Sequence, residues 1–212
     1  NDDSGSVAAT ELGEEQVANY VFSINSGQSA SIAENTAAST AVMTVAVTDG
    51  PATGCSISSG ATDVDSDGNA PFAISSTCAI TVNDAGDLNY ESQTSFTLSI
   101  LATDSDGDAD VGSVTISVTD VNDQTPAVTV AATYNHAEAA ATTFQTYTMV
   151  DTDTSGTYTC TLGGDDAADF SASVSGKVCT VTWASNPDYE TPADNGGNNV
   201  YDITIAFSDG TN

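Results

Sequence analysis

The side chains able to do chemistry in this sequence are almost all carboxylates. Of its 212 residues, 30 are Asp or Glu; Lys177 stands alone among Lys and Arg, and the formal net charge is −29. The acids collect in short clusters: Asp63-Val64-Asp65-Ser66-Asp67-Gly68-Asn69, Asn89-Tyr90-Glu91, Asp104-Ser105-Asp106-Gly107-Asp108, Asp120-Val121-Asn122-Asp123, Asp151-Thr152-Asp153 and Asp188-Tyr189-Glu190. Oxygen donors in such groups suit a hard divalent cation, which takes six to eight carboxylate and carbonyl oxygens. A cation site between two domains must draw ligands from loops distant in sequence, and acids at strand ends can converge in that way. The loop opening at Asp63 has the first half of an EF-hand. Its twelfth position is Ile74, where a bidentate Glu is required, so a helix-flanked EF-hand is rejected. Asp63, Asp65 and Asp67 are then either a free-standing calcium loop or a plain turn. Asp104 and Asp106 pose the same choice, as extra ligands or as a hairpin tip.

The same charge excludes other chemistries. Nucleic acid needs cations against its phosphates, an anionic membrane surface repels this chain, and phosphate-handling enzymes use Lys or Arg clamps. A Ser-His-Asp triad would depend on His136, the single histidine, and there is no GxSxG elbow. Acids are so abundant that a pair of them carries no sign of glycoside hydrolysis. The expectation is a protein that is not an enzyme. No apolar run approaches the ~20 residues of a membrane helix.

The elements that must position the acids follow from period-two alternation. Ser95-Phe96-Thr97-Leu98-Ser99-Ile100, Ser113-Val114-Thr115-Ile116-Ser117-Val118 and Tyr201-Asp202-Ile203-Thr204-Ile205-Ala206-Phe207 put one face in a core and the other in water. Asp, Gly, Asn and Ser clusters between such runs are turn signals. Ala137 to Ala141 is the one stretch with helical composition, and the β-branched residues after it weigh against a helix. Trp183, the single tryptophan, lies in a predicted strand and is expected in a core.

An internal repeat sets the organisation. Glu34 precedes Cys55 by 21 residues and Glu138 precedes Cys160 by 22; Cys78 and Cys179 follow, then Asn89-Tyr90-Glu91 and Asp188-Tyr189-Glu190, then Asp104 and Asp209. One order at near-equal spacing means two copies of one domain. The repeat selects Cys55–Cys78 and Cys160–Cys179 from the three pairings that four cysteines permit. Disulfides place the chain in an oxidising compartment, outside the cell or on its surface. The boundaries are a segment over 1–19, domain 1 with its linker over 20–124, and domain 2 over 125–212.

These landmarks carry a resemblance. Asp120-Val121-Asn122-Asp123-Gln124-Thr125-Pro126 resembles the cadherin linker Asp-x-Asn-Asp-Asn-x-Pro. Asn89-Tyr90-Glu91 and Asp188-Tyr189-Glu190 resemble the Asp-Arg/Tyr-Glu motif, Ala102-Thr103-Asp104 the Ala-x-Asp motif, and Asp151-Thr152-Asp153 the Asp-x-Asp motif. Ile32-Ala33-Glu34-Asn35 resembles the opening glutamate of a repeat, and the style of the whole is similar to prokaryotic cadherin-like repeats. The resemblance implies an all-β chain of two tandem immunoglobulin-like antiparallel β-sandwiches. It also implies Ca2+ at their junction, held by Glu34, Asn89, Glu91, Asp120, Asn122 and Asp123, the Gln124 carbonyl, Asp151, Asp153 and Asp209. Asn89 departs from the family's Asp and removes a charge; Gln124 replaces Asn, a small change where a carbonyl binds.

Domain 1 ends in the strand Ser113 to Val118, and domain 2 shows no counterpart after Asp209. Gly5-Ser6-Val7 precedes Glu34 much as Gly112-Ser113-Val114 precedes Glu138. Residues 1–19 therefore stand where a preceding domain's last strand would stand. The chain is expected to be a structural or adhesive module. It would join head-to-tail copies of itself by donor-strand complementation, or belong to a longer tandem array. The alternative is a module that binds a glycan or a cell-surface protein.

Overall fold

The computed structural model describes residues 21–138 and 140–211; the expectation for residues 1–19 lies outside them. Domain 1 contains β1 (Ser23–Ile24), β2 (Gln28–Ala33), β3 (Ala41–Thr44), β4 (Val47–Thr48), β5 (Gly54–Ser59), β6 (Phe72–Ile74), β7 (Ala79–Val82), β8 (Ser95–Thr103) and β9 (Ala109–Thr119). Domain 2 contains β10 (Thr143–Thr148), β11 (Thr159–Gly163), β12 (Phe170–Ser175), β13 (Val178–Trp183) and β14 (Thr204–Ser208), with one 3-10 turn at Ala167–Asp169.

Alternation fixes the long strands. Phe96, Leu98, Ile100 and Ala102 of β8 face inward, and each is at most 1% exposed. Val114, Ile116 and Val118 of β9 lie beside them, with Phe96 opposite Ile116 and Leu98 opposite Val114. Apolar pairs of this kind are the unit of sheet stability. One sheet runs β2-β9-β8-β5 and the other β3-β7-β6, while β1 pairs with β4. The first and last strands of the large sheet, β2 and β9, are parallel neighbours. Gly112 lets β1 cross β9 closely, since a Cβ there would lie 2.6 Å from Ile24 Cγ2.

Domain 2 has sheets β10-β13-β12 and β11-β14. Its core gathers Tyr147, Met149, Phe170, Val181 and Trp183, and Trp183 is buried as expected. His136 sits in a loop, as expected, but packs its ring 5.3 Å from that of Trp183. No helix forms at 137–141 in the described residues. Disulfides join the two sheets of each domain in the pairing that the repeat selects, Cys55–Cys78 with Cα atoms 5.2 Å apart and Cys160–Cys179 at 6.1 Å.

The two domains differ on one side. Cys55 pairs with Ala102 and Cys160 with Phe207, so β14 is the counterpart of β8. Yet Tyr201, Ile203, Ile205 and Phe207 are only partly buried. Among the described residues nothing takes the place of β9 against β14, and Tyr201 to Ile203 form no strand although they alternate. The stretch before Glu138, which matches β2, is also without a strand. The reason is mutual: β2 is paired to β9 alone in its sheet, so a domain without that last strand has no ladder for its first.

Candidate metal centre

The linker leaves β9 at Thr119 and reaches domain 2 at the Ala127–Val150 bridge. Glu34, 2% exposed, stands at the end of β2 and braces both loops that flank the linker. Its Oε2 accepts the Tyr90 N–H and its Oε1 the Val121 N–H, each at 2.7 Å. This fixes Glu91 and Asp120 around it, and the oxygens of Glu34, Glu91 and Asp120 come within 4.8 Å of one another.

Two more triads continue across the joint. Glu91, Asp123 and Asp153 meet within the same 4.8 Å, as do Asp151, Asp153 and Asp209. Glu91 belongs to the first two triads and Asp153 to the last two, so seven carboxylates from domain 1, the linker and domain 2 form one connected row. Burial and the negative charges of Glu34 and Asp123 push the Glu91 carboxyl up. Asp120 is also desolvated, but hydrogen bonds from Thr154 and Ser155 outweigh that and hold its carboxyl below the usual range.

Hydrogen bonds across the joint aim these groups. Asp120 Oδ2 accepts the Thr154 N–H at 2.8 Å and also the Thr154 hydroxyl. The Gln124 N–H donates to Asp153 Oδ2 at 2.8 Å, and Asn35 Nδ2 donates to Asp123 Oδ2 at 2.5 Å. Tyr158 donates its hydroxyl to Asp151 Oδ2 at 2.9 Å. Lys177 Nζ donates to two backbone carbonyls, Asp151 O at 2.7 Å and Asp153 O at 3.0 Å.

Two observations fit this donor set to a hard cation. Asp153 is 0% exposed and its Oδ1 has no hydrogen-bond partner. Asp120 Oδ1 is likewise buried and unpartnered. Asn122 reaches the same acids: one end of its amide lies 2.9 Å from Asp153 Oδ2 and 3.2 Å from Asp209 Oδ2, and the other end lies 2.9 Å from Thr211 Oγ1. Without an ion the amide turns its nitrogen to the two carboxylates, and beside an ion it can turn its oxygen instead. A set of oxygens drawn from several loops suits calcium, and holds neither the sulfur nor the nitrogen that zinc prefers.

Of the residues named from sequence, Glu34, Glu91, Asp120, Asp123, Asp151, Asp153 and Asp209 are brought together, and Asn122 joins them. Asn89 closes a local turn by accepting the Ser92 N–H at 2.9 Å. Gln124 contributes its N–H to Asp153. Asp63, Asp65 and Asp67 form a separate triad. Asp104 accepts the N–H groups of Asp106 and Asp108, both at 2.9 Å, and holds the β8–β9 hairpin tip. Sequence reasoning missed Thr154, Tyr158 and Lys177, which orient ligands without being acidic. It also left Glu138, Asp188 and Glu190 outside the site, although they form a triad of their own. The repeat could have found them: the Tyr189 N–H donates to Glu138 Oε2 at 3.0 Å, as that of Tyr90 does to Glu34.

Residues 28–119 match the cadherin domain family. The fold is similar to that of the human desmocollin-1 ectodomain, at TM-score 0.70 and 16% identity, covering 90% of this chain and 38% of that one. The protocadherin gammaB4 extracellular domain gives TM-score 0.62 and 25% identity, covering 90% and 30%. Protocadherin gamma B2 extracellular cadherin domains 3–6 give 0.61 and 20%, covering 90% and 43%. The chain spans less than half the length of each of these structures. A search of curated protein sequences finds no match.

Proposed function

We propose that this chain, whose residues 28–119 are a cadherin domain followed by a second sandwich of the same plan, is an extracellular structural or adhesive module stiffened by calcium at its joint. The observation that carries the reading is the row of carboxylates shared through Glu91 and Asp153 across two domains and a linker. Ions bound along that row can keep all their ligands only while the domains hold one orientation. Glu34, Glu91, Asp120, Asp123, Asp151, Asp153 and Asp209 would supply the charge, and Asn122 a neutral oxygen. The protein's own part is to hold these oxygens close and dry; the ion supplies the positive charge that lets them stay so.

The open side of β14 supports a second element of the proposal, assembly in series. Its partly buried Ile205 and Phe207, with Ile203 just before it, would be covered by a strand added on the side away from β11 by a neighbouring unit. That unit is a second copy supplying residues 1–19, or a further repeat. A glycan-binding role loses its best platform, because Trp183 is only 6% exposed.

Small-angle scattering with calcium and then with excess EGTA tests the joint. Chelation is expected to broaden the distance distribution and to lower the thermal midpoint. An unchanged profile and midpoint would overturn the reading.

A further inference from the structure

In domain 1, β9 lies between two partners, antiparallel to β8 and parallel to β2. Phe207 answers to Ala102 and Glu138 to Glu34, so the matching place in domain 2 lies between β14 and the stretch 132–137. Among the described residues no strand occupies it. Leu98 and Ile100 are 0% exposed beside β9, whereas their counterparts Ile203 and Ile205 are only partly buried. On the other side of the place, Tyr134 and His136 already reach the core aromatics. The Tyr134 ring lies 6.4 Å from that of Tyr147, and the His136 ring 5.3 Å from that of Trp183. Two residues apart and turned the same way, they have the alternation of a strand without a ladder. His136 adds a second sign: its Nε2 is buried without a hydrogen-bond partner, which is costly unless a partner arrives.

Resting on the reading of assembly in series, we propose that residues 5–11 of a second copy fill this place as one strand, antiparallel to β14 and parallel to 132–137. Gly5-Ser6-Val7 takes the positions of Gly112-Ser113-Val114. The β8–β9 register then sets Gly5 opposite Ile205, Ser6 opposite Thr204, Val7 opposite Ile203 and Ala9 opposite Tyr201. The sizes agree. Domain 1 pairs the small Ala30 with Ile116; here Ala9 would stand beside the large Tyr134, so the bulk changes strands and the filled volume is kept. Gly5 would repeat the part of Gly112, which leaves room for Ile24 to cross, and Val128 is the counterpart of Ile24. Glu11 would be the one inward acid. It would fall beside His136 as Val118 falls beside Ile32, where its carboxylate can meet the open Nε2.

The direction follows from β14, which runs toward Asp209 at the joint. The added strand would run away from the joint, and residues 12–19 would lead to domain 1 of the donor, as Thr119 leads β9 into the linker. Such a contact joins two different surfaces, so it can repeat along a filament.

Cysteine cross-linking of the full chain tests the donor and the register, because all four native cysteines are already in disulfides. On oxidation, Ser6→Cys with Thr204→Cys is expected to give a ladder of covalent dimers and higher oligomers in non-reducing gels. Ser6→Cys with Ala206→Cys is shifted by two residues and is expected to give about tenfold less, since the diagonal spacing exceeds the reach of a disulfide. Val7→Asp is expected to remove both the cross-links and the polymers counted by electron microscopy, with both domains melting as before. Polymers without the Thr204 cross-link, or with an equal Ala206 cross-link, overturn the register and leave assembly in series standing. A bond closed within one chain overturns the second copy as donor. Absence of polymers and of cross-links alike overturns both this strand and the reading of assembly in series.

Discussion

Asp153→Asn should stabilise domain 2 without calcium and destabilise it with calcium. The side chain is buried in a triad with Asp151 and Asp209, all within 4.8 Å, where each pair of unit charges repels by about 3.5 kcal/mol at an effective dielectric constant near 20. Three pairs give on the order of 10 kcal/mol, as much as the whole stability of a typical domain, ~5–15 kcal/mol. Counterions and small outward shifts of the loops must relieve most of this in the absence of bound ions. Asparagine removes two of the three pairs. Its oxygen can still accept the Gln124 N–H, and its nitrogen takes the place of the unpartnered Oδ1. A residual gain of about 1–2 kcal/mol is expected in EGTA, or roughly 5–10 °C for a domain of this size. With calcium the order reverses. An ion at 100 times its dissociation constant adds about 2.7 kcal/mol, and a hundredfold loss of affinity leaves about 0.4 kcal/mol of it, a loss of about 2.3 kcal/mol that exceeds the gain. Differential scanning calorimetry in EGTA and in calcium reads both signs. A variant less stable than wild type under both conditions would show that Asp153 is held by protein bonds alone and would refute the argument.

Two further outcomes follow from the fold. Deleting residues 1–19 should abolish any head-to-tail polymer seen by electron microscopy while domain 1 still melts cooperatively, and polymers that survive the deletion refute strand donation from that segment. Replacing Cys160 and Cys179 by alanine should cost domain 2 about 3 kcal/mol in urea unfolding, the chain-entropy value for a separation of 19 residues; a loss below about 1 kcal/mol would mean that the sheets of domain 2 hold together without their staple.

The sheets were legible wherever alternation was strict. Ser95 to Ile100 and Ser113 to Val118 lie in β8 and β9 as read, with Phe96 facing Ile116 and Leu98 facing Val114 across the ladder. Tyr201 to Phe207 carries the same pattern but becomes a strand only from Thr204, since a strand needs neighbours as well as a pattern. At the joint, Glu34, Glu91 and Asp209 stood out because their order recurs, and Asp120, Asp123, Asp151 and Asp153 because their motifs resemble the cadherin linker and Asp-x-Asp motif. Their supports did not: Thr154 and Tyr158 are ordinary residues until the fold brings them to Asp120 and Asp151. Asp87 had no signal at all, because the bonds it accepts from the Val64 and Asp65 N–H groups exist only after β7 turns toward β8.

The place of the single lysine connects composition with the joint. A site that is to take up cations must not satisfy its carboxylates from within. An ammonium among Asp151, Asp153 and Asp209 would compete with a divalent ion and lower its affinity in proportion. Lys177 avoids this, since its donors go to the backbone carbonyls of Asp151 and Asp153. That contact pins the loop by its main chain and leaves the side chains to face the linker, where Gln124 and Asn122 meet them. The scarcity of Lys and Arg is therefore more than a matter of surface charge. If ions bind as proposed, it keeps the connected row of acids dependent on the surrounding medium, and stiffness of the joint would follow the concentration of those ions.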